Sequence, residues 1–148
     1  MSEDIDEKDL AILEVLEEHG DYTVRQIAKK TLLAPTTVHA RIKKLKKKGI
    51  IRRFTIDINH GKLGRKLGAY ILVSADLKYL KERHRTQYDL AEEIRKLSGV
   101  RKVDIVAGGT DLVVRILVKD MDELDRLLLN RLQLLEGVSN TQTMIIIH

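Results

Sequence analysis

The chain has 148 residues, 43% of them hydrophobic, with 27 Lys or Arg against 22 Asp or Glu, a net charge of +5 and no cysteine. This excludes disulfides, a thiolate nucleophile and cysteine-held metal, and no apolar run reaches the length needed to cross a bilayer. The acidic start "MSEDIDEKD" lacks the apolar stretch of a secretory signal, so the sequence reads as cytoplasmic.

"DIDEKDLAILEVLEEHG" predicts a first helix. Asp4 or Asp6 caps it, Leu10, Ile12, Leu13 and Leu16 form its buried stripe, and Gly20 follows its end. "TVRQIAKKT" predicts a short second helix, with Thr23 and Gln26 at capping-box spacing and Ile27 and Ala28 facing inward. "TLLA" breaks it. Pro35 then opens a third helix, at a position where its missing N–H costs nothing, and the helix runs to about Lys48 before Gly49. On a helical wheel Val38, Ile42 and Leu45 make one apolar seam. Thr36, Ala40, Lys43 and Lys47 lie opposite. Thr37 and Lys44 flank them on one side, His39 and Lys46 on the other.

"IIRRFTIDIN" alternates apolar and polar residues and predicts a half-buried strand. "NHGKLGRKLG", rich in glycine and basic residues, reads as a linker. Beyond it, "AYILVSADL" predicts a strand, "KYLKERHR" a polar loop and "TQYDLAEEIRKLSG" a helix. "VRKVDIVAGGTDLVVRILVKD" predicts two strands joined by a tight turn at Gly108-Gly109. "DMDELDRLLLNRLQLLEG" predicts a helix with Asp120 and Glu123 as a capping box, and "VSNTQTMIIIH" a last strand. The fold class is therefore α+β: a winged-type helix-turn-helix over 1–59, a linker over 60–68, and a ferredoxin-like βαββαβ domain over 69–148. Two helices on one face of that sheet leave the other face needing cover, which a homodimer supplies.

Charge is segregated along this plan. Residues 22–56 hold 11 Lys or Arg and no acid, which leaves 16 basic against 22 acidic residues elsewhere. Such segregation points to a polyanion. Three short helices with a tight turn before the third read as a helix-turn-helix, whose third helix enters the major groove of double-stranded DNA. Lysines there contact phosphates, and base discrimination falls to Thr36, Thr37, His39, Ala40 and Lys43. Lys44 and Lys47 on the same helix, Arg25 on the second, and Arg52 and Arg53 beyond the third complete the candidate interface. Arg41 lies nearer the apolar seam. A solvated lysine face is the plainer alternative. RNA fits less well, because only Tyr22 and Phe54 are available in the basic segment as stacking platforms.

Catalysis has no foothold. The five histidines lack metal-ligand spacing, no serine sits in a nucleophile elbow, and Gly108-Gly109 lacks the helix and lysine of a phosphate loop. We expect no catalytic residues, no metal and no cofactor.

Taken together, Asp6, Asp9, Ile12-Leu13, Ile27-Ala28, Pro35-Thr36-Thr37-Val38, Arg41, Leu45 and Gly49-Ile50-Ile51, then Gly108, Asp111, "VKDMDELDRLL", Gly137-Val138, Thr141 and Thr143, resemble the Lrp/AsnC (leucine-responsive, feast/famine) transcription regulators over nearly the whole chain. The resemblance implies a C-terminal domain that dimerises through its sheet. It also implies a small effector, often an amino acid, bound where dimers meet, and octamers of four dimers as a higher assembly. It associates Gly108 and Asp111 with effector response. From the residues alone Asp111 either caps the turn locally or pairs with a ligand ammonium, and Thr141 and Thr143 either decorate the surface or line the same site. Two departures stand out. Leu32-Leu33-Ala34 replaces the family's Gly-Leu-Ser, and Lys46-Lys47-Lys48 replaces its acidic residues after Leu45. A sequence-specific regulator tuned by an effector is the leading reading. A low-specificity DNA-architectural protein comes next, and a metabolite-binding protein or enzyme on the ferredoxin-like domain last.

Overall fold

A computed structural model of the chain describes residues 4–147. The chain divides into two units, 1–58 and 59–148.

The first unit packs three helices, α1 (Glu7–Glu18), α2 (Val24–Thr31) and α3 (Pro35–Lys47). Asp6 and Asp9 form a capping box on α1, as Thr23 and Gln26 do on α2. The core is Ile12, Ile27, Ala28 and Val38, with Val15, Leu16 and Ile42 packed against it. Leu10, expected in the stripe, is 45% exposed, because three short helices bury only a narrow face of α1.

The turn between α2 and α3 shows what its composition costs. Leu32 ends α2 in the left-handed region at φ 57°, 91% exposed, and Ala34 caps α3 with no side-chain bond. A left-handed L-residue costs about 1–2 kcal/mol, partly offset by the entropy a glycine would lose. Leu32→Gly is therefore expected to stabilise the unit by about 0.5–1 kcal/mol, and Ala34→Ser by about 0.5–2 kcal/mol through a restored cap. Thermal melting of the single and double variants checks both values. A loss on Leu32→Gly contradicts the strain.

Two expectations fail after α3. Residues 51–58 form no strand. They have no ladder partner among the described residues, and Phe54, Ile56 and Ile58 are exposed. Alternation prepares a segment for pairing but does not supply the partner. The linker is also shorter and more ordered than expected: His60–Leu63 form a 3-10 turn capped by the Asn59 side chain, and β1 begins at Leu67.

The second unit has four antiparallel strands in the order β2-β3-β1-β4: β1 (Leu67–Ala75), β2 (Val100–Ile105), β3 (Leu112–Val118) and β4 (Val138–Ile145). This is the expected ferredoxin-like order. α5 (Gln87–Arg95) and α6 (Met121–Asn130) cover one face, where Ile71, Val73, Leu90, Ile94, Leu112 and Val114 are fully buried. The segment expected as a polar loop carries a further helix, α4 (Leu77–Glu82). Asp76 caps it and Leu80 anchors it in the core. At α6 the Asp120 side chain accepts from the Glu123 N–H, but the Glu123 carboxylate turns to the Lys119 N–H, so the capping box is only half formed.

Candidate nucleic-acid interface and effector groove

The third helix carries four stripes. Val38 and Leu45 are buried. Thr36, Ala40, Lys43 and Lys47 are exposed on the opposite side, and His39 and Lys46 are exposed beside them. The fourth stripe, Thr37, Arg41, Lys44 and Lys48, is half-buried at its first three residues and meets acids of the N-terminal segment.

The sequence gives Asp4 and Asp6 a capping role and Asp9 a place in the family pattern, but no role toward α3. Asp9 is completely buried. Lys44 Nζ donates to its Oδ2 at 3.1 Å and to the Asp4 carbonyl at 2.5 Å. Arg41 Nη1 donates to Asp6 Oδ1 at 2.5 Å and lies 3.0 Å from Asp9 Oδ1. Lys48 pairs with Asp4. The hydrogen bond from Arg41, with that from the Asp9 N–H, holds the Asp6 carboxyl at about 2. Burial pushes Asp9 upward, but hydrogen bonds from Lys44 and the Asp6 N–H, with the Arg41 guanidinium beside it, outweigh it and keep its carboxyl below the ordinary range. Three of the eleven basic residues of 22–56 are thus neutralised inside the unit. Lys44, expected at the DNA interface, is one of them, because its ammonium is held by Asp9 and the Asp4 carbonyl. Thr37 is half-buried. Arg25, Arg52 and Arg53 are exposed. The signal was present in the sequence as acids at 6 and 9 and bases at 41, 44 and 48, both at helical spacing. Only the packing of α1 on α3 brings them together.

In the second unit the expected effector residues have separate hydrogen-bond partners. The β2–β3 connection is a wide loop closed by a bond from the Val106 N–H to the Asp111 carbonyl (2.9 Å), not a two-residue turn. Asp111 does not cap it locally. Its Oδ2 accepts from the Ala75 N–H at 2.8 Å and its Oδ1 from Gln87 at 3.2 Å, which ties the loop to the end of β1 and the start of α5. Thr141 and Thr143 pair across from Val73 and Ile71, on the helix-covered side of the sheet, and Thr141 accepts from Gln133 at 2.8 Å. Gly108 is exposed on the loop.

The open face holds a different set. Leu72 and Ser74 of β1 face Gln142 and Asn140 of β4, and with Gly109 and Thr110 they line a groove of about 430 Å³. Thr110 Oγ1 donates to the Val73 carbonyl at 2.9 Å, which fixes the loop over this groove. Of "SNTQTM", Asn140 and Gln142 face the groove, and Thr141 and Thr143 face away from it. Among the described residues no cluster of acidic or imidazole groups could hold a metal, and no helix is long and apolar enough to cross a membrane.

Comparison with known proteins matches both units. Residues 5–52 match the winged helix-turn-helix DNA-binding family, and residues 69–148 match the Lrp/AsnC ligand binding domain. An uncharacterised HTH-type transcriptional regulator of Pyrococcus abyssi is 37% identical, covering 98% of this chain and 94% of that protein. HTH-type transcriptional regulator FL11 of Pyrococcus furiosus is 34% identical, covering 97% and 89%. Among solved structures, a transcriptional regulator of Neisseria meningitidis in complex with L-methionine superposes with a TM-score of 0.88 at 27% identity, covering 97% of this chain and 90% of that one.

Proposed function

The chain belongs to the Lrp/AsnC family of transcriptional regulators, and from that premise we propose that it binds specific double-stranded DNA sites with an affinity or assembly set by a small effector, an amino acid. It is a DNA-binding regulator with a ligand-binding domain. The observation that carries the finer reading is the division of α3. One stripe is pinned to Asp4, Asp6 and Asp9, and the stripe with Thr36, Ala40, Lys43 and Lys47 is left exposed. Small residues at the N-terminal end of that stripe allow close approach to base edges, and the lysines of its C-terminal half meet phosphates. Arg25, Arg52 and Arg53 add backbone contacts. Homodimers, with octamers of four dimers above them, would set the spacing of half-sites, and the protein would act in the cytoplasm.

For the effector, the groove on the open sheet face presents the side chains of Ser74, Thr110, Asn140 and Gln142, the donors and acceptors that an amino-acid zwitterion needs. The Neisseria relative is a methionine complex, which makes apolar amino acids the first panel to try. Asp111 and Gly108 shape the loop beside the groove.

The test is fluorescence anisotropy on operator and scrambled DNA across salt concentrations. Lys47→Gln is expected to flatten the slope of log affinity against log salt by about 0.9 for each phosphate it no longer neutralises, on all sequences alike. Lys44→Gln is expected to leave the slope unchanged, since its ammonium is held by Asp9. Addition of the correct amino acid should change the affinity about 5–150-fold. Equal affinity for operator and scrambled DNA would overturn specificity and favour an architectural role.

A further inference from the structure

The helix-turn-helix unit contains a cleft that neither the base-reading stripe of α3 nor the sheet groove explains. It encloses about 340 Å³, the small end of ligand-sized sites. Leu16, Val24, Ile27 and Ile42 make an apolar wall. Tyr22 continues it, its ring stacked on His19 at 4.3 Å and 5° and so held in place. Phe54 closes the cleft from the exit segment. The residue is 47% exposed, with the Lys46 ammonium 4.7 Å from the centre of its ring.

The charges of the rim have one sign. Lys43 and Lys46 carry them, His39 lies beside them, and among the described residues no lining residue is acidic. The walls favour an apolar body by excluding water from both surfaces. The rim favours an anionic head, because a carboxylate accepts charge-assisted hydrogen bonds from ammonium groups. A cation of the same shape is repelled. A zwitterionic amino acid would bring its ammonium against the same lysines, so the amino acids proposed for the sheet groove do not fit here. We propose that this cleft is a second ligand site, for a small apolar carboxylic acid with an aryl or branched-chain body and its carboxylate on Lys43 and Lys46. His39 and Lys43 also lie at the proposed DNA face, so an occupied cleft neutralises part of that face and competes with DNA. The competition rests on the proposed DNA reading, whereas acid binding does not.

The experiment titrates the full-length, ¹⁵N-labelled protein with phenylacetate, using phenethylamine and phenylalanine as the cationic and zwitterionic counterparts. Phenylacetate should give saturable amide shifts at Tyr22, Val24 and Phe54, and the other two should not. Lys46→Gln should weaken the acid about fivefold, as expected for one partly exposed ion pair. Lys46→Glu should reverse the order and favour phenethylamine. The proposal is overturned by the absence of saturable shifts, by shifts confined to residues 59–148, by equal binding of acid and amine, or by an unchanged order in Lys46→Glu. Intermolecular contacts showing the exit segment of a second copy in the cleft overturn it too. In a parallel anisotropy assay phenylacetate should weaken DNA binding. Acid binding with DNA affinity unchanged supports the site and removes its overlap with the DNA face.

Discussion

Asp9→Ala is expected to destabilise the helix-turn-helix unit by about 2–4 kcal/mol and to make DNA binding stronger on all sequences but less selective. The carboxylate is fully buried and holds two cations, Arg41 and Lys44, whose side chains are 21% and 35% exposed. Removing one partner of a fully buried pair costs about 3–5 kcal/mol because the other charge is stranded. Here both cations can turn partly to water, which lowers the cost. Once free, Lys44 lies on the helix proposed to face DNA, and its ammonium becomes one more phosphate contact. Denaturant unfolding checks the first effect, and the salt slope of DNA binding checks the second. An unchanged slope in a folded Asp9→Ala protein would show that Asp9 does not direct the charges of α3.

Acid should act in the same direction. Asp6 titrates at about 2, below the ordinary aspartate value, so the folded unit binds fewer protons than the unfolded chain between those two values. Its contribution to stability is complete above about pH 4 and is lost as the pH falls toward 2. Asp9, also lowered, follows the same sign. The cluster is therefore intact near neutral pH, where α3 keeps its inward and outward charges apart.

What could be read along the chain was what neighbours in sequence decide. The Thr23–Gln26 box, Pro35 at the head of α3 and the Val38–Leu45 seam follow from local hydrogen bonding and helical period. The βαββαβ order followed from alternation and glycine stops. What failed depends on partners far away in sequence. Residues 51–58 had a strand's pattern and, among the described residues, no strand beside them. Asp111 bonds across 36 residues to Ala75, which no local turn rule anticipates. Lys44 was correctly placed on its stripe, but nothing in the wheel of α3 shows that α1 presents Asp9 to it. The placement of Thr141 and Thr143 was hidden for a different reason. Period 2 groups Thr141 with Thr143, but it does not say which face the helices cover, and the register opposite β1 puts the pair on the covered one.

Gly137 immediately precedes that register, and Gly137→Ala is expected to cost the C-terminal unit about 3 kcal/mol. The glycine sits at φ +96°, where an L-residue is strained by about 1–2 kcal/mol. An added Cβ would overlap Leu80 Cδ2 and come within 2.9 Å of its Cγ. Leu80 is 1% exposed in the core, so it has little room to yield, and overpacking of this kind adds about 1–3 kcal/mol. The Gly137 carbonyl also accepts from the Asp76 N–H at 2.8 Å, at the cap of α4, so a shifted backbone disturbs α4 and β4 together. Gly109→Ala provides the contrast: it has open space around it and no positive φ, and should be neutral within about 0.5 kcal/mol. A double-mutant cycle separates strain from overlap. In a Leu80→Ala background the overlap is gone, so Gly137→Ala should cost only its backbone strain, about 1–2 kcal/mol. An equal cost in both backgrounds would place the whole effect in the backbone and none in the contact between α4 and the start of β4.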